Sequence, residues 1–115
     1  MEIQVQCIGD VSVATVPLED LDASNAPDFK RDMAAVVDES RKLVLDLSHL
    51  KFVDSSGLGA FISLLRKLNA KGGDLKLCGM SKPVRAVFEL VRMHRVFEIL
   101  PTREDALRAF GAMVT

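Results

Sequence analysis

Leu45-Asp-Leu-Ser-His-Leu-Lys-Phe-Val-Asp-Ser-Ser-Gly-Leu-Gly59 joins an apolar strand to an amphipathic helix through a junction that carries two adjacent hydroxyls. Upstream, Lys42 to Leu47 sets Leu43, Leu45 and Leu47 on one face and Val44 and Asp46 on the other, as expected of a strand near a sheet centre. Downstream, Leu58, Phe61, Ile62, Leu65 and Leu68 recur at helical spacing from about Ser56 to Ala70, and Ser63, Arg66 and Lys67 face water. Leu64 falls off that stripe, so it either packs on a neighbouring helix or faces a partner. Ser55 is predicted as the N-cap, with Asp54 before it and Ser56 as the first helical residue. Its hydroxyl then lies beside N–H groups that lack intrahelical partners, and a phosphate attached there meets an anion-friendly helix end. Capping alone accounts for Asp-Ser-Ser, but not for Gly57 and Gly59. Each glycine costs about 0.5–1 kcal/mol relative to alanine in a helix, so bare backbone here predicts a close approach.

Working outward, Gly9-Asp10 is a turn dipeptide between Glu2–Ile8 and Val11–Pro17, which read as a β-hairpin. A helix starts at Ser24 or Asn25, tolerates Pro27 in its first turn, and turns Phe29, Met33, Val36 and Val37 inward as far as about Glu39. Asp74–Cys78 is a second inner strand, Lys82–Met93 a helix with Val84, Val87, Phe88 and Val91 inward, and Val96–Leu100 a third strand. Thr102 fits the N-cap of a last helix, and Asp105 stands where a capping box carries Glu or Gln. Strands alternating with helices predict right-handed crossovers and a mainly parallel sheet, begun by the antiparallel hairpin.

A chain of 115 residues is long enough to bury about 60–70% of its unfolded surface without a disulfide or metal. Fifteen basic and sixteen acidic residues, with no Trp or Tyr, argue against a nucleic-acid partner. No stretch approaches the roughly 18 apolar residues of a membrane span, and the start lacks a leader pattern, so a cytoplasmic protein is expected. Cys7 and Cys78 lie in predicted buried strands without C-x-x-C spacing and read as reduced core thiols.

Catalytic readings are weaker. Ser55 as nucleophile with His49 or His94 as base and Asp46 or Asp54 as orienter lacks a G-x-S-x-G elbow. His94, between Arg92 and Arg95, reads as a surface residue, and two histidines without a Cys/His cluster make a metal site unexpected. Glu19, Asp20 and Asp22 form an acidic loop without a cation-ligand motif, and no phosphate loop for nucleotide hydrolysis occurs. No cofactor is expected.

The segment Leu45–Ser48 with Phe52 and Asp54-Ser-Ser-Gly-Leu-Gly59 resembles the signature of the STAS family, specifically the bacterial anti-sigma-factor antagonists. Leu21-Asp22-Ala23 before a helix, Gly72-Gly73 before Leu75–Gly79, and Val96–Ile99 resemble other family landmarks, so the likeness spans nearly the whole chain. In one departure, Glu19 stands where such proteins usually carry glycine, two residues before Leu21-Asp22.

The resemblance implies a single STAS-like α/β domain over residues 1–115, a mixed β-sheet with an N-terminal hairpin and about four α-helices packed mainly on one face. It implies a non-enzymatic partner switch, monomeric when free. Its partners would be an anti-sigma factor that is also a serine kinase, and a metal-dependent serine phosphatase. Ser55 is the implied phosphorylation site, and Asp22, Ser24, Asp54, Ser56, Gly57 and Gly59 are the implied partner-binding residues. The alternative is a STAS accessory subunit docked on a transporter ATPase or another regulatory partner.

Overall fold

A computed structural model describes residues 1–112; the last three of the predicted domain range lie outside the described residues. The chain runs β1 (Gln4–Ile8), β2 (Val11–Thr15), β3 (Asp20–Leu21), α1 (Ala26–Glu39), β4 (Lys42–Asp46), β5 (Phe52–Val53) and α2 (Ser55–Ala70). It continues through β6 (Asp74–Cys78), α3 (Lys82–Leu90), a 3₁₀ turn (Met93–Arg95), β7 (Glu98–Leu100) and α4 (Arg103–Ala109). The main sheet has the order β1-β2-β4-β6-β7, with β1 antiparallel to β2 and every other pairing parallel. Gly9 closes the hairpin at φ +62°, a left-handed conformation that glycine adopts at little cost. The predicted α/β class, mixed sheet and N-terminal hairpin are those observed.

Strand alternation sorts the helices onto two faces. Leu43, Leu45, Leu75 and Leu77 point into a core shared with α1, α2 and α3. Val11, Val13, Val44 and Cys78 point the other way, where Ala106 and Leu107 of α4 cover them. Three helices therefore share one face and α4 closes the opposite one. Phe29, Phe61, Phe88 and Phe97 form a row through the larger core, with successive ring centroids 5.8, 6.0 and 6.1 Å apart. Such pairs contribute about 0.5–1.5 kcal/mol each beyond area burial, so the row ties α1, α2, α3 and the approach to β7 together.

Leu64 is fully buried, which settles its alternative in favour of packing within the protein. Two expectations need correction. Cys7 is exposed rather than a core thiol, because β1 is the outer strand of the sheet and its residues lie exposed or half-buried. The predicted helix to Met93 stops at Leu90, and Val91 is half exposed instead of inward. Arg92 takes φ +61° and breaks the helical phase, so Met93 packs on the core in the place expected for Val91. The capping box of α4 is also half formed. Thr102 Oγ1 accepts the Asp105 N–H at 3.1 Å, while the Asp105 carboxylate faces Arg108 at 3.3 Å.

Candidate functional site

After β4 the chain turns away from the main sheet and forms β5, which pairs in parallel with β3 as a two-residue ladder, Asp20 with Phe52 and Leu21 with Val53. The Glu19 carbonyl accepts from the N–H groups of Lys51 at 2.6 Å and Phe52 at 3.1 Å, and the Leu21 carbonyl accepts from Asp54 N–H at 3.2 Å. Two loops distant in sequence are thereby locked side by side. Glu19 achieves this through its backbone with ordinary negative φ, so the residue that departs from the family pattern needs no glycine.

Asp54, not Ser55, caps α2. Its backbone is extended (φ −106°, ψ −172°), its Oδ1 accepts the Gly57 N–H at 3.0 Å, and its Oδ2 accepts the Ala23 N–H at 3.2 Å. Ser55 is consequently the first helical residue and Ser56 the second, one position later than the sequence reading assigned. Asp and Ser are both favoured caps, and the carboxylate wins here because it bonds two loops at once. The consequence for chemistry is direct: the cap does not consume the Ser55 hydroxyl, and Ser55 is exposed while Ser56 is half-buried.

The neighbouring loop is ordered by its own polar groups. Asp22 Oδ1 accepts from Ser24 Oγ at 2.5 Å and from Ser24 N–H at 2.9 Å, and Asn25 Oδ1 accepts the Asp22 N–H at 2.9 Å. The Ser24 hydroxyl, followed by its amide, holds the Asp22 carboxyl below the usual carboxylate range, so this exposed group is negative at neutral pH. The structure thus brings Asp22, Ser24, Asp54, Ser55 and Ser56 to one lip, joined by the Asp54–Ala23 bond. Phe52, 51% exposed, stands on the same ladder and adds an aromatic face.

The two glycines divide. A Cβ on Gly57 would lie 2.5 Å from Val53 Cγ2 and 2.6 Å from the Leu21 carbonyl, so the close approach it permits is that of the β3–β5 ladder. Gly57 is buried. Gly59 is exposed, and a Cβ there would meet nothing within 4 Å.

The two carboxylates of the hydrolase reading are engaged elsewhere. Asp46 Oδ2 accepts from Arg103 Nη2 at 2.8 Å and Nε at 3.2 Å, and Asp54 holds the helix. His49 lines an open cleft with Glu2, Gln4, Thr15, Pro17, Leu18 and Glu19, a set that leaves out Ser55. His94 is exposed. Among the described residues no group of three His, Cys, Asp or Glu side chains is placed to hold a metal, and no helix is long and apolar enough to cross a membrane. The Arg103–Asp46 pair, which ties α4 to β4, escaped the sequence reading. Its one signal was an arginine in a first helical turn, where the helix dipole disfavours cations.

Comparison with known proteins places this geometry. The model of the STAS domain matches residues 2–106. A Bordetella bronchiseptica protein named as an anti-sigma factor antagonist is 34% identical over 91 residues, covering 78% of each chain. The crystal structure of an anti-sigma factor antagonist from Mycobacterium paratuberculosis superposes with TM-score 0.82 at 30% identity, covering 94% of this chain and 92% of that one. In fold alone, the Bacillus cell fate determinant SpoIIAA in its phosphorylated form also matches, with TM-score 0.68 at 20% identity, 95% of this chain and 99% of that one. So does part of the murine anion transporter Slc26a9, with TM-score 0.77 at 21% identity, over 90% of this chain and 18% of that one. Sequence, topology and the capped serine junction together make this chain a member of the STAS domain family, with anti-sigma factor antagonists among its relatives.

Proposed function

We propose that the chain is a partner switch controlled by phosphorylation of Ser55. Unphosphorylated, it binds an anti-sigma factor that is also a serine kinase and frees a sigma factor; phosphorylated, it lets go, and a metal-dependent serine phosphatase restores it. It is the substrate of those enzymes rather than an enzyme, acts in the cytoplasm, and is a monomer when free.

The observation that carries this reading is the exposed Ser55 hydroxyl at the first position of α2, left out of the cap because Asp54 takes that role. A phosphate there adds about −1.5 to −2 charge at a helix N-terminus, where a negative group gains about 0.3–1 kcal/mol. Asp54 and Asp22 on the same lip oppose that gain, so the fold itself changes little in stability. The large effect falls on docking. Enclosing an unpaired phosphate in an interface costs several kcal/mol, enough to lower affinity by about a thousandfold. Asp22, Ser24, Asp54, Ser56, Gly59 and the exposed Phe52 form the docking lip around Ser55, and Gly57 supports it from beneath.

A cognate kinase with Mg-ATP is expected to add one phosphate to the chain, and Ser55→Ala to abolish the addition while still binding the kinase. Intact-mass analysis with peptide mapping and an affinity measurement before and after modification make the test. Phosphate on another residue, or equal affinity in both states, overturns the proposal. The second reading, an accessory subunit docked on a transporter ATPase or another regulatory partner, uses the same fold and requires no phosphate turnover.

A further inference from the structure

Among the described residues, six large apolar side chains are exposed, and three of them fall within seven consecutive positions: Leu90 (84%), Val91 (50%) and Val96 (54%). They bracket the turn that ends α3. Arg92 holds this turn in the left-handed region at φ +61°, the sole non-glycine residue with positive φ among the described residues. That conformation costs an L-residue about 1–2 kcal/mol and is ordinarily given to glycine at a helix C-terminus. The turn also packs the half-buried Met93 against the core and leaves Val91 outside. The result is an apolar tip built on a strained backbone, a combination that recurs at functional sites.

Charge surrounds that tip. Residues 82–96 contain Lys82, Arg85, Arg92 and Arg95 against Glu89, a net +3 within a chain of net −1. Glu89 neutralises Arg85 at 3.0 Å, and Lys82, Arg92 and Arg95 form no ion pair among the described residues. The surface also lies apart from Ser55. Ser55 follows the C-terminal end of β4, whereas Leu90–Val96 leads into the N-terminal end of β7, and β4, β6 and β7 run parallel. A partner held at one end leaves the other free.

We propose that Leu90, Val91 and Val96, ringed by Arg92 and Arg95, form a second docking surface for an acidic protein segment that carries bulky apolar side chains. Charge complementarity selects this occupant. A short segment senses the local cations within a Debye length of about 8 Å, while an extended anionic membrane also senses the acidic remainder of the molecule. The apolar side chains of the segment cover the three exposed ones, and its carboxylates meet the arginines.

The 115-residue chain, labelled with nitrogen-15, is titrated with a synthetic helical peptide bearing glutamates on one face and leucines on the other. A matched peptide with lysines in place of the glutamates, and vesicles of phosphatidylcholine with phosphatidylserine, form the comparison arms. The acidic peptide is expected to shift amide signals between Arg85 and Phe97. Arg92→Glu with Arg95→Glu should weaken it at least about tenfold, as should Leu90→Ser, with the remaining spectrum unchanged. Ser55→Asp should leave this binding intact. Absent binding, equal binding of both peptides, shifts centred on the Ser55 lip, capture by the vesicles in preference to the acidic peptide, or self-association through this tip would each overturn the assignment.

Discussion

The Oδ2 of Asp54 accepts the amide of Ala23 at 3.2 Å across thirty-one positions of sequence, while Oδ1 of the same carboxylate caps α2 through Gly57. One side chain therefore fixes both the start of the serine helix and the loop beside it. Asp54→Ala is expected to destabilise the protein by about 0.5–2 kcal/mol, the usual range for losing a cap. Hydrogen exchange should quicken at both Ala23 and Gly57, and Asp54→Ser should rescue Gly57 alone, because a hydroxyl reaches one amide and not two. Unchanged protection at Ala23 would show that the loop is held by other bonds.

Gly57→Ala and Gly59→Ala should have opposite signs. At position 57 the new methyl collides with Val53 and the Leu21 backbone, which cannot yield without opening the β3–β5 ladder, so a loss of about 2–3 kcal/mol is expected. At position 59 the methyl enters open space in a helical backbone and should gain about 0.5–1 kcal/mol. Urea unfolding midpoints of the two variants test the contrast directly.

Burial alone would push the Asp46 carboxyl up, but the Ser48 amide at 2.9 Å and the Arg103 guanidinium hold it below the usual carboxylate range. A carboxyl depressed in the folded state contributes stability above its unfolded value, about pH 4, and that contribution disappears as pH falls through the folded value. Asp46→Asn is expected to lower stability by about 1–3 kcal/mol at pH 7, and to flatten its dependence on pH below about 5. Urea midpoints of the two proteins across that range should converge toward acid; parallel curves would contradict the assignment.

The two cysteines should differ sharply in reactivity. Cys7 is exposed on the outer strand, whereas Cys78 is fully buried and its thiol is pushed up to about 12, first by desolvation and then by the nearby Asp46 charge. A thiol reagent at pH 8 is expected to modify one equivalent rapidly and the second only when the protein unfolds. Cys7→Ser should remove the fast phase and leave the slow one unchanged.

Where the chain repeats itself, the sequence was readable. β6 falls on the predicted Asp74–Cys78, and the hairpin turns on Gly9-Asp10, since period-two alternation and turn chemistry act locally. Three features depended on tertiary partners and were not readable. β3 and β5 have two residues each, too short for any period to show, yet they set which residue caps α2. Cys7 alternates like an inner residue, and its exposure follows from the position of β1 in the strand order. Arg92 gave no residue-level sign of a left-handed turn, so the end of α3 was placed too late. At the candidate site the cap was displaced by one, an ambiguity that two adjacent capping residues create.

The double acceptor at position 19 is a carbonyl oxygen, and every amino acid supplies one. The side chain there is therefore free to differ between paralogues without disturbing the strand pairing below it. Because Glu19 borders the serine junction, exchanging it for a cation or a neutral residue would recolour the rim electrostatically on an unaltered scaffold. Under the proposed partner-switch reading, such a substitution would change which partner the rim favours at no cost to the fold beneath.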